Sequence, residues 1–210
     1  MVGLFVPGLG ATAGLYRPGL PEGWVALDLP SFRSTGGDFG AYGRWLVEEI
    51  ARRQTPVVVA GHSMGATLAL LAAAERPDLV ERVIMLSPAG LPLTKPMRAS
   101  LRTFARQVVR GCYPARELGR MVLAAVTAPR AGLRLARTVH GLDLAPELER
   151  IRASGVRCTI VACAGDELTT SAHCRALAAA LEAEYRELDA AEGHIWPISE
   201  PNRLAEELSR

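Results

Sequence analysis

Three side chains in this 210-residue chain have the types and the order that nucleophilic acyl chemistry requires: Ser63, Asp166 and His194. A serine hydroxyl is a poor nucleophile at neutral pH. It needs a base to take its proton and an acid to orient that base. Ser63 sits in Gly61-His62-Ser63-Met64-Gly65, between the apolar run Pro56-Val57-Val58-Val59-Ala60 and the small-residue stretch from Ala66 to Ala74. A strand, a G-x-S-x-G turn and a helix in that order hold the serine on a sharp turn with its hydroxyl exposed. Glycines flank it because a side chain at either place would strike the neighbouring strand and helix.

Asp166 follows an apolar run that ends at Cys163, within Ala164-Gly165-Asp166-Glu167-Leu168, where Glu167 is the adjacent alternative. His194 lies in Glu192-Gly193-His194-Ile195-Trp196-Pro197, past the last predicted strand. The chain has four histidines. His62 adjoins the serine on a tight turn and should point away from it. His140 falls in a region of short helices, and His173 falls on a predicted helix. Position therefore selects His194 as the base. Acyl transfer also needs donors for an oxyanion. The Met64 N–H, at a helix N-terminus, is one. The glycine-rich loop Pro7-Gly8-Leu9-Gly10 supplies the other, taken as the Leu9 N–H.

The elements that must position these groups follow from apolar patterning. Predicted strands are Val2–Val6, Trp24–Leu29, Pro56–Ala60, Arg82–Leu86, Arg157–Cys163 and Tyr185–Leu188. Predicted helices include Phe39–Arg53, Ala66–Arg76 and Ser171–Glu182. Alternating strands and helices imply an α/β fold: a mostly parallel sheet of about six strands with helices on both faces. Sites in such sheets form at the C-terminal strand ends, where Ser63 falls. Residues 91–151 break the rhythm with several proline-punctuated helices, one from Met97 to Gly111. They are expected to form a lid inserted after the fourth strand, leaving residues 1–90 and 152–210 as the core. Phe104, Tyr113 and Met121 are candidate substrate-lining residues of that lid.

The chain is 49% hydrophobic, enough for one well-packed domain, and its net charge of +2 gives no reason to expect nucleic acid or membrane. Cys112, Cys158, Cys163 and Cys174 lack metal-site spacing and read as small, mostly buried thiols, with Cys158 and Cys163 on opposite faces of one strand. No run is long enough to span a membrane and no basic leader precedes Val2, so a reduced cytoplasm is the expected location. The charge is uneven. Residues 91–153 hold eleven arginines and Lys95 against four acids, a local excess of +8 that leaves −6 on the rest. Arg98, Arg102, Arg106 and Arg110 fall four apart on one helical stripe. That stripe is either a solvated face or a receiver for an anionic partner: a carboxylate- or phosphate-bearing substrate, an anionic membrane, or an acidic acyl-carrier protein.

Together the Pro7-Gly8-Leu9-Gly10 loop, the Ser63 elbow, Gly165-Asp166, and Gly193-His194 followed by Glu200-Pro201 resemble the α/β-hydrolase superfamily, over residues 2–90 and 152–206. Two departures stand out. Pro7 replaces the histidine usual before the oxyanion-loop glycine, so the support around that loop must differ. The chain also begins at what would be the family's third strand, which places Val2–Val6 nearer an edge, a surface for a homodimer. The resemblance implies a serine hydrolase that cleaves a carboxylic ester or thioester through an acyl-enzyme on Ser63. His194 would be the base and Asp166 its orienting partner, with no metal or organic cofactor. The same framework hosts lyases, C–C hydrolases and low-turnover receptors, and the fold alone does not choose among them.

Overall fold

A computed structural model describes residues 2–111, 113–189 and 193–210, without the Arg110 side chain. The expectation for Cys112, and Arg110's place in the stripe, lie outside the described residues. Six strands form one sheet: β1 (Val2–Val6), β2 (Trp24–Ala26), β3 (Val57–His62), β4 (Val80–Leu86), β5 (Arg157–Cys163) and β6 (Glu184–Leu188). Their order is β2-β1-β3-β4-β5-β6 and every pairing is parallel. The helices are α1 (Phe32–Thr35), α2 (Phe39–Ala51), α3 (Met64–Glu75), α4 (Met97–Arg110), α5 (Ala115–Thr127), α6 (Pro129–His140), α7 (Leu148–Ala153), α8 (Ser171–Leu181), α9 (Trp196–Ser199) and α10 (Pro201–Ser209).

Strand parity sorts the core into two layers. Leu4, Val6, Val57, Val59, Val83, Met85, Ile160 and Ala162 face the layer built with α2, α3, α7 and α8. Their neighbours Phe5, Val58, Ala60, Ile84, Leu86, Val161 and Cys163 face Tyr16, Trp196 and α10. Both faces are covered, so the central strands are apolar throughout. α3 is apolar all round because it lies against β3 and β4 on one side and α2 on the other. The N-terminus of α2 is capped by Asp38, which accepts from the Gly40 N–H, and that of α8 by Thr170, which accepts from His173.

Boundaries shift where partners end. β2 stops at Ala26 rather than Leu29, since Leu27 N–H makes a last bond to Phe5 O and β1 ends one residue later. β3 runs on through Gly61 and His62, which still pair with Met85 and Leu86. β1 is bonded on both sides, to β2 and β3, so it lies one strand in from an edge, and β2 and β6 hold the two free edges. Cys158 and Cys163 do pack into opposite layers, and Cys158 and Cys174 are free thiols. Between β4 and β5 the chain forms α4 to α7. Leu135, Val139, Leu144 and Ile151 from this insertion join the first core layer. No helix among the described residues is long and apolar enough to cross a membrane.

Candidate active site

Ser63 joins β3 to α3 with φ 54° and ψ −118°, a conformation disfavoured for any residue with a side chain. Strain of this kind costs about 1–3 kcal/mol and persists only where the surroundings enforce it. The enforcement is visible at both glycines. A Cβ on Gly61 would strike the Gly65 carbonyl, and one on Gly65 would strike the carbonyls of Val6 and Pro7. The elbow is therefore pressed against the end of β1 and cannot relax.

Asp166 follows β5 and is buried, as is His194 in the turn after β6. His194 Nδ1 lies 2.7 Å from Asp166 Oδ2. The carboxylate accepts, so Nδ1 carries the proton and Nε2 keeps its lone pair. Asp166 also accepts from the Leu168 and Thr169 N–H groups at 2.7 and 3.0 Å, and the Thr169 hydroxyl lies 2.8 Å from it. Burial alone would raise its pKa. The neighbouring His194 and these donors outweigh that and hold it below the usual carboxylate range. Glu167, the adjacent alternative, points elsewhere: it is exposed and grips Arg106 of α4 at 2.7 Å.

Ser63 and His194 line one apolar cavity, together with Leu9, Phe104, Tyr113 and Met121. Among the described residues no acidic side chain, arginine or lysine joins them. Among the described residues Ser63 Oγ has no hydrogen-bond partner; bonds of this kind are commonly long until substrate is present. The Met64 N–H is the first of α3 and has no intrahelical acceptor, while its side chain is buried in the core. Leu9 N–H also has no partner among the described residues, whereas Gly8 N–H is taken by Tyr16 Oη at 3.3 Å.

That bond begins a buried chain that sequence reasoning missed. Tyr16 Oη lies 2.8 Å from His62 Nδ1, and His62 Nε2 lies 2.8 Å from the His194 carbonyl. A carbonyl only accepts, so Nε2 carries the proton and Nδ1 accepts from the Tyr16 hydroxyl. Burial, then the neighbouring His194, push the His62 pKa down to about 3, so the ring stays neutral and can fill both roles. The chain links the β1 loop, the elbow and the His194 turn. It supplies the support that Pro7 cannot. His62 does point away from the serine, as expected, and the direction it takes is toward this network. Thr169 was also missed; a threonine three residues after Asp166 is the local signal for a carboxylate bonding its own loop. Ser87, at φ 43° beyond β4, completes the surround by accepting from Trp196 Nε1 and offering its carbonyl to Thr169.

The chain matches the alpha/beta hydrolase family over residues 4–207 and belongs to it. It is 36% identical to a monoglyceride lipase of Rattus norvegicus over 95 residues, 42% of this chain and 31% of that enzyme. The matched stretches of this and a second known relative take up only 20–31% of their lengths. Among solved structures it resembles a lipase-esterase related protein from Clostridium acetobutylicum, with TM-score 0.77 and 16% identity over 99% of this chain and 93% of that one. A thioesterase domain from the curacin biosynthetic pathway gives TM-score 0.66 and 18% identity over 100% of this chain and 90% of that one. At these identities the structures share the fold.

Proposed function

We propose that the protein is a serine hydrolase that cleaves a carboxylic ester or thioester through an acyl-enzyme on Ser63. One observation carries the reading: a buried His194–Asp166 pair, bonded at 2.7 Å, opens onto the same apolar cavity as a serine held on a strained elbow. Ser63 attacks the carbonyl carbon while His194 Nε2 takes its proton. Asp166 holds the imidazole and stabilises the imidazolium. The Met64 and Leu9 N–H groups face the developing oxyanion. His194 then returns the proton to the leaving alcohol or thiol, and water repeats the sequence to release the acid.

The apolar wall formed by the described residues favours an apolar acyl group. Residues 91–151 act as the lid, contributing Phe104, Tyr113 and Met121 to that wall and fastening to the core through Arg106–Glu167 and through Thr12–Glu117 at 2.6 Å. Fluorophosphonate labelling with mass-spectrometric site mapping, run beside p-nitrophenyl esters of increasing acyl length, tests the reading. The expected result is one adduct on Ser63, absent in His194→Ala, with ester turnover. Folded protein that takes no adduct and turns over no ester would overturn it and direct attention to lyase or receptor roles.

A further inference from the structure

α5 is amphipathic in the reverse sense. The side turned toward the body carries Glu117, Met121 and Ala124. Glu117 accepts from the Thr12 hydroxyl, meets Arg120, and lies against Gly14, where a Cβ would meet its carboxylate. The side turned to solvent carries Leu118, Val122, Leu123 and Val126, which are 40%, 53%, 60% and 65% exposed. Their i, i+4, i+5, i+8 spacing makes one continuous strip. An exposed aliphatic strip of this kind marks a contact surface, since an ordinary surface helix turns such residues inward.

The neighbouring helix supplies charge. On α6, Arg130, Leu133, Arg134 and Arg137 share one exposed face at i, i+3, i+4, i+7. None of these three arginines has an ion-pair partner among the described residues. From Ala115 to His140 the only acid is Glu117, and it is turned inward. The two helices therefore present aliphatic side chains beside unneutralised cations, with no acid on the surface. A second copy docking here would set like charges against like. The α5 strip offers only Leu, Val, Ala and Gly, without the aromatic or hydrogen-bonding anchors that protein interfaces concentrate. Hydrocarbon needs no directional partner, and anionic headgroups neutralise the arginines.

We propose that the outer face of α5 and α6 seats on an anionic lipid surface, α5 entering the acyl boundary and the α6 arginines meeting headgroup phosphates. Met121 of the same α5 lines the cavity, so a lipid-seated helix places the cavity wall at the interface. The seating is independent of the Ser63 chemistry and is measured without turnover.

The test is co-sedimentation of the full chain with phosphatidylcholine vesicles, with and without phosphatidylglycerol, at low and high salt. Two variants accompany it: Val122→Asp with Val126→Asp, and Arg130→Glu with Arg134→Glu. All four positions are exposed, and circular dichroism checks that the variants fold. Wild type should pellet with phosphatidylglycerol vesicles at low salt. Binding should fall about tenfold or more in high salt, on neutral vesicles and in either variant. Wild type that stays in the supernatant, or aspartate variants that pellet as wild type does, would overturn the proposal. So would a concentration-dependent dimer abolished by the aspartates without any vesicle binding, which would assign the strip to a second copy.

Discussion

The sheet core and the helical insertion between β4 and β5 solve the same burial problem in opposite ways. In the core, strand parity gives each apolar side chain one of two layers, and α3 is apolar because it is enclosed. In the insertion, α4 to α6 carry apolar residues on both sides. Leu135 and Val139 enter the core, Phe104 and Met121 line the cavity, and Leu118, Val122 and Val126 face solvent. The core fixes the positions of Ser63, Asp166 and His194, whereas the insertion adds part of the cavity wall beside them. Substitutions in the core should therefore abolish chemistry or folding, and substitutions in the insertion should change substrate preference or very little.

The largest expected effect is at Asp166. Asp166→Asn keeps the side-chain volume but favours the wrong His194 tautomer, and kcat on a p-nitrophenyl ester should fall about 10⁴-fold with the fold intact. Gly65 and Gly119 make a matched pair. Gly65→Ala would drive a Cβ into the Val6 and Pro7 carbonyls and should cost about 4 kcal/mol or more in urea unfolding. Gly119→Ala, on exposed α5 with nothing within 4 Å of the new methyl, should stabilise by about 0.5–1 kcal/mol. Equal responses would erase the contrast between the regions.

His62 gives a pH-dependent version. Its folded pKa, pushed down to about 3, lies below its unfolded value of 6.5, so the unfolded chain binds the proton first. Its contribution is complete above pH 6.5 and drains away as pH falls toward 3. Between pH 6.5 and 4 that loss amounts to about 3 kcal/mol. Unfolding free energies of His62→Gln should depend less steeply on pH over this window; an unchanged slope would mean that His62 is not buried and neutral. The smallest loss is expected at Phe104→Ala on α4, about 1–3 kcal/mol in kcat/KM for a long acyl ester and little for acetate.

What could be read in advance divides along the same line. Ser63 and Asp166 were legible because each follows an apolar run, and His194 because it follows the last predicted strand, with the strand-end rule fixing the surroundings of all three. The parity of Cys158 and Cys163 was legible for the same reason. The Tyr16–His62 chain was not, because residues 46 positions apart meet only when β1 and β3 pair. The direction of the α5 face was hidden as well. Its apolar period shows a helix, but the burial of Glu117 depends on Thr12 and Gly14, which lie more than a hundred residues away. β1 lies next to an edge of the sheet, as expected, but the strand predicted at Trp24–Leu29 takes the edge itself.

The most direct test of the central claim is a kinetic cycle of Ser63→Ala, His194→Ala and the double variant on one ester. If the two side chains act as a unit, each single loss should be about as large as the double loss. Losses that multiply, or ester turnover that survives Ser63→Ala, would contradict an acyl-enzyme built on this pair.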